Sequence, residues 1–155
     1  MFEKLKSLFR APQPTGPQLE LRAFSTSNAT INQESVTIDN ETWRLNVTTP
    51  QTIRLFEIAD PGTERCMLTY RAQLKTKELQ GKAYLEMWCR LPGRGEFFSR
   101  GLHNAVKGTN DWASYEIPFY LKQGQKPDLI KLNLVSDGSG TIWMKDIKLL
   151  QTPLK

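Results

Sequence analysis

The chain has 155 residues, of which 39% are hydrophobic and 24% charged, and it carries a formal net charge of +5. That length suits one domain with a sizeable core, and that balance excludes a disordered chain. No apolar run approaches the ~20 residues a helix needs to cross a bilayer, and the modest basic excess permits attraction to phosphate or acidic lipid without requiring it.

Residues 2–10 predict a short amphipathic helix or an extended arm. Phe2, Leu5, Leu8 and Phe9 share one side, while Lys4, Lys6 and Arg10 lie mostly off it. About nine residues are too few for a helix to persist alone in water, so this segment needs a surface. Its own domain is one choice; a weak membrane-surface contact by residues 1–10, with Phe and Leu flanked by basic groups, is the other. Ala11 to Gln18 holds three prolines and a glycine and reads as a linker. The expected division is therefore residues 1–18 as an N-terminal segment and 19–155 as the folded domain. The start lacks the continuous apolar stretch and cleavage site of a secretory signal, which predicts a cytoplasmic protein. The Asn-x-Thr triplets at Asn28, Asn40 and Asn46 then have no glycosylation meaning.

From Leu19 the chain reads as strands and turns. Leu19 to Phe24 alternates. Ser35–Ile38 and Thr42–Thr48 flank a turn at Asp39-Asn40-Glu41. Thr52–Ile58 ends at Asp60-Pro61-Gly62, a strong turn signal. Arg65–Lys75 sets Cys66, Leu68, Tyr70, Ala72 and Leu74 on one face. Lys77 to Gly81 is read as a turn into a strand over Gly81–Leu91. Glu96–Arg100, Trp112–Leu121 and Asp128–Ser136 follow, and Asp137-Gly138-Ser139-Gly140 turns the chain into Thr141–Leu150. Many regularly punctuated strands predict an all-β fold, an antiparallel β-sandwich or barrel. Cys66 and Cys89 are too few for a disulfide scaffold and each falls on an apolar face, so free buried thiols are expected.

The Gly81–Leu91 strand carries the strongest functional signal. Ala83, Leu85, Met87, Cys89 and Leu91 fall on one face, and Lys82, Tyr84, Glu86, Trp88 and Arg90 on the other. The first face suits a core. The second combines two large rings with three charges, as recognition surfaces do. A spacing of about 6–7 Å between Tyr84 and Trp88 is expected, enough for one or two pyranose rings.

Three features of the sequence resemble the jelly-roll domains of the galactose-binding-like superfamily, which includes many carbohydrate-binding modules. A core strand with Tyr70 and Ala72 is followed, as in a hairpin, by the Gly81–Leu91 strand. Thr109-Asn110-Asp111-Trp112 precedes an alternating strand holding Tyr115 to Phe119. Gly140 to Leu149, with Trp143 before Asp146 and Ile147, looks like the closing strand. The resemblance covers residues 19–150 and implies a jelly roll. Many members hold a structural calcium near the closing strand. Here Lys145 stands beside Asp146 where two acids often occur, and a hard cation wants several oxygen ligands, so no metal is predicted.

Catalytic chemistry finds little support. The one histidine, His103, sits in a glycine-flanked loop with no nucleophile motif around it. Zinc needs four close ligands, usually Cys and His. Glu86 and Glu116 invite comparison with a glycosidase pair, but charges on a solvated sheet face ordinarily pair across strands. Arg90, Arg94 and Arg100 lie near Gly93 and Gly95; they read as ordinary loop charge or, functionally, as a small anion-binding rim. Basic residues are otherwise dispersed among acids without an RNA-binding motif, which argues against a nucleic-acid partner. No catalytic residue and no cofactor is predicted. The expected function is a non-catalytic binding module, carbohydrate-binding through Tyr84, Glu86, Trp88, Arg90, Arg71 and Asn133. The alternative is a protein-interaction or self-association domain using the same face, with Trp88 as anchor.

Overall fold

The computed structural model describes residues 12–155 and is antiparallel β throughout, apart from one 3-10 turn at Leu102–Asn104. Nine strands form: β1 (Leu19–Phe24), β2 (Val36–Asp39), β3 (Thr42–Val47), β4 (Gln51–Ala59), β5 (Cys66–Leu91), β6 (Gly95–Arg100), β7 (Val106–Tyr120), β8 (Leu129–Ser136) and β9 (Gly140–Pro153). The expected helix over residues 2–10 lies outside the described residues. Of the proline-rich stretch, Thr15 N–H donates to Pro153 O at 2.9 Å and Lys155 N–H to Gln13 O at 3.2 Å.

The strands share one continuous ladder, β2-β3-β9-β5-β8-β4, with β1 on β9 and both β6 and β7 on β5. The ladder is folded over into two layers by β5, which runs for 26 residues. Its first half, to Lys77, lies between β9 and β7. Its second half, from Ala83, lies between β8 and β6. The layers are therefore β2-β3-β9-β5-β7, with β1 on β9, and β4-β8-β5-β6. Contacts between them fill the core. Tyr70 of the first layer is fully buried and donates its hydroxyl to Asn133 O of the second at 3.2 Å. The Phe56 ring on β4 stacks on Phe24 of β1 at 4.1 Å and meets Trp43 of β3 edge-on at 5.6 Å.

One sequence expectation is corrected here. Lys77 to Gly81 is not a hairpin turn, and the two strands it joins do not lie side by side. They are one strand with a bend. Glu78 and Gly81 take left-handed φ of 51° and 78°, and the β5–β7 register slips three times between Leu74 and Ala83. Such bulges add twist and redirect a strand without ending it. Leu79 stays buried in the middle of the bend, so the core continues through it.

The bend is clamped from outside. Gln80 N–H donates to Ser139 O and Asp137 N–H to Lys82 O, both at 2.7 Å. The β8–β9 turn thus presses on β5 backbone to backbone. A Cβ on Gly138 would stand 1.7 Å from Gln80 O, and one on Gly140 2.6 Å from Leu79 Cα. Only glycine fits either place.

Alternation otherwise predicts burial well. Leu68, Tyr70, Ala72 and Leu74 face inward from the first half of β5, and Ala83, Leu85, Met87 and Cys89 from the second. Each fully buried large apolar side chain contributes about 1.5–3 kcal/mol relative to exposure. Both cysteines are buried and free; burial pushes the Cys66 thiol up to about 11 and the Cys89 thiol up to about 12. In β9 the inward series is Ile142, Met144, Ile147 and Leu149. It skips a step at Asp146, whose φ of 52° turns the carboxylate outward.

Candidate functional site

The inward residues of β5 fix what its other face must present. On the second layer that outer face carries Tyr84, Glu86, Trp88 and Arg90. Antiparallel register brings the neighbours into rows. Glu86 lies opposite Arg100 of β6 and Asn133 of β8, and Trp88 opposite Phe98 and Lys131. Arg54 of β4 pairs with Asn133, and Glu57 with Lys131, to complete the surface.

Glu86 is its hub. Only 4% of this residue is exposed, and each carboxylate oxygen is occupied. Oε1 accepts from Trp88 Nε1 at 2.9 Å and from Asn133 Nδ2 at 3.0 Å, while Oε2 accepts from Arg100 Nε at 2.7 Å. Burial alone pushes this carboxyl up. The hydrogen bonds from Asn133, Arg100 and Trp88, with the Arg100 charge, outweigh it and hold the group below the usual carboxylate range. Glu86 is therefore ionised and internally committed. It positions Trp88 and Arg100.

The rings lie beside this hub. Trp88 and Phe98 have centroids 5.1 Å apart with a 53° tilt, and the Arg100 guanidinium lies 4.0 Å over the Phe98 ring. Phe98 is 51% exposed. Tyr84 stands along the strand from Trp88, with Glu86 between. Four residues of strand separate them by about 13 Å, twice the expected spacing. Phe98, not Tyr84, is the ring adjacent to Trp88.

The rim is made of ion pairs. Arg90 grips Asp128 with two bonds, at 2.8 and 3.3 Å. The bond to Arg90 holds the Asp128 carboxyl below its ordinary value. Lys131 Nζ meets Glu96 at 2.8 Å, and Arg54 pairs with Glu57. Of the expected anion rim, Arg90 and Arg100 already hold carboxylates, and Arg94 stands exposed in the turn before β6.

Tyr84, Glu86, Trp88, Arg90 and Asn133 thus come together as expected, and Arg71 does not. It lies on the outer face of the other layer, bonded to Glu116 at 3.1 Å and to Gln18 at 3.2 Å. Gln73 and Glu116 go with it, because the first half of β5 pairs with β7 and β9. Glu86 and Glu116 occupy different layers and cannot flank one glycosidic bond. The sequence places Arg100 in an anion rim rather than beside Trp88 and does not point to Phe98, although Glu96, Phe98 and Arg100 alternate as plainly as Tyr84, Glu86 and Trp88 do. His103 lies exposed in the 3-10 turn. Among the described residues no three His, Cys, Asp or Glu side chains gather in a metal-binding group, and no helix is long and apolar enough to cross a membrane.

No family model and no curated protein matches the sequence. Solved structures do match its fold. A CBM22-1 xylan-binding domain from Paenibacillus barcinonensis superposes with a TM-score of 0.58 at 11% identity, covering 94% of this chain and 100% of that one. This chain has the jelly-roll fold of carbohydrate-binding modules. A CBM4 structure matches this jelly roll at TM-score 0.53 and 11% identity, over 83% of this chain and 77% of the other. A family 30 carbohydrate-binding module matches at 0.52 and 16%, over 86% and 98%.

Proposed function

We propose that this jelly roll is a non-catalytic carbohydrate-binding module whose ligand lies across the outer face of β4-β8-β5-β6. The observation that carries the reading is the Trp88–Phe98 pair on a surface whose polar groups are fixed by Glu86. A pyranose presents a C–H face that stacks on an aromatic ring and hydroxyls that need directed partners. Trp88 and Phe98 supply the platform, and Tyr84 a second ring farther along the strand. The Nη groups of Arg100 and the amine of Lys131 stand ready for hydroxyl oxygens. Trp88 and Arg100 each lock a nitrogen on Glu86, so little side-chain freedom remains to be lost on binding. Residues 13–18 make their contacts at the ends of β5 and β9 in the other layer, so that part of the chain leaves the face open.

A glycan array with the wild-type chain, repeated with Trp88→Ala, tests this. Hits with neutral oligosaccharides that vanish in the variant are expected. A wild type without hits would sink the reading.

The exposed edge favours a second reading. Among the described residues β6 pairs only with β5, and Phe97 and Phe98, 45% and 51% exposed, project from its two sides. Aromatic residues at a free strand edge also suit a protein partner or a second copy. Sedimentation of the wild type against Phe97→Ser decides it: a dimer that the substitution dissociates supports self-association.

A further inference from the structure

The outer face of the first layer carries its own aromatic site. Arg44 of β3, Trp143 of β9 and Lys75 of β5 stand directly opposite one another across three strands. The two cationic heads lie 5.8 and 5.3 Å from the Trp143 ring centroid. These are outer cation–π distances, from which a head can turn toward a stronger partner. Trp143 Nε1 donates to Asp39 Oδ2 at 3.3 Å, which fixes the indole. Two open depressions meet at this ring and share Lys77 and Glu78. One, of about 710 Å³, continues to Thr109, Asn110 and Asp111; the other, of about 700 Å³, to Gln80, Ser139 and Thr141. A second indole, Trp112, stands on the same layer with Lys145 Nζ 4.3 Å from its ring.

The charges here are unspent. Arg44, Lys75, Lys77 and Lys145 enter none of the salt bridges among the described residues, whereas the cations around Glu86 each hold a carboxylate. Arg44 Nε donates to the neutral Asn46 Oδ1 at 3.2 Å, and cations that hold no carboxylate around a fixed indole call for an anion with an apolar face. The acids among them narrow its type. Glu78 and Asp111 would repel a chain bearing a phosphate at every unit, but they accept bonds from hydroxyls, as Thr109, Ser139 and Thr141 do. A ligand with many hydroxyls and an occasional carboxylate satisfies both sets.

We propose that the Trp143–Lys75–Lys77 surface binds acidic oligosaccharides, with a uronate ring stacked at Trp143 and its carboxylate held by Lys75, Lys77 and Arg44. This surface is separate from the Trp88 face, so either reading can fail without the other. The test is calorimetric titration of the full chain with a galacturonic-acid tetramer. Wild type binds it, more weakly as salt rises. Lys77→Glu, an exposed change that spares the fold, and Trp143→Ala each weaken binding by at least about tenfold, and Trp88→Ala leaves it unchanged. The proposal is overturned by a wild type that ignores the tetramer. It is equally overturned by binding that falls with Trp88→Ala but not with Lys77→Glu, or by an oligothymidylate that binds more tightly at the same residues.

Discussion

The two outer faces of this sandwich use the same residue types to opposite ends. Around Trp88 every neighbouring charge is spent: Glu86 on three donors, Arg100 on Glu86, Lys131 on Glu96, Arg90 on Asp128. Around Trp143 the cations touch a ring and no carboxylate. The first arrangement presents rigid rings with little net field, which suits a neutral, hydroxyl-rich ligand. The second keeps its charge available, which suits an anion. A tryptophan on a strand is thus an incomplete signal. What its neighbours are bonded to decides what it can receive.

The largest expected break in this contrast is Glu86→Ala. It strands the buried Asn133 amide and the part-buried Trp88 indole and frees Arg100, giving the first face the loose charge of the second. A loss of about 3 kcal/mol is expected in urea unfolding, since removing one partner of a buried network leaves the others unpaired. Neutral-glycan affinity falls with it as Trp88 loses its tether. The pH dependence follows from the same carboxylate. Its folded value lies below its unfolded one. Its contribution is therefore complete above the unfolded value, about 4.3, and is lost as pH falls through the lower folded value. A urea-midpoint profile should lose that part of its acid slope in Glu86→Gln.

Gly138→Ala comes next and attacks the bend that keeps the faces on separate layers. The new methyl meets the Gln80 carbonyl, and about 2–3 kcal/mol of stability should be lost, read as a drop in Tm. Trp88→Ala separates the faces functionally. It should cost more than about tenfold in neutral-glycan affinity, while Tm moves only a few degrees because the ring lies half-buried on the outer face rather than in the core. Arg90→Ala is the smallest change. Its pair with Asp128 is solvent-exposed, so the urea midpoint should move only slightly, with salt erasing the difference.

Much of the fold is legible in the sequence. Period-two alternation sorted β5 correctly, putting Tyr84, Glu86, Trp88 and Arg90 on one side and the core on the other. It does the same for Ile130, Leu132 and Leu134 in β8, which left Lys131 and Asn133 outside. Alternation tells which way a side chain points and says nothing of which strand lies beside it. That is why the sequence groups Arg71 with the wrong layer: the bend at Glu78 to Gly81 has the composition of a turn, and only the long-range partners β7, β8 and β9 show that it is not one. The role of Glu86 as a hub is not legible, because its donors at residues 88, 100 and 133 converge on it only in space. Asp146 escapes the pattern through one left-handed φ. The sequence around Trp143 marks the closing strand and does not reveal that Arg44 and Lys75 stand on either side.

The order of the strands along the chain has a consequence for how the protein is made. β9 is the last strand, and it is the partner of β1, β3 and the first half of β5. During synthesis those three strands must wait, with backbone donors and apolar faces uncovered, until residues 140–153 have emerged. Nonlocal pairing of this kind is slow, and waiting edges recruit one another. A chain interrupted before Gly140 would therefore be an aggregating species, and emergence of residues 140–153 is the step that closes the sandwich.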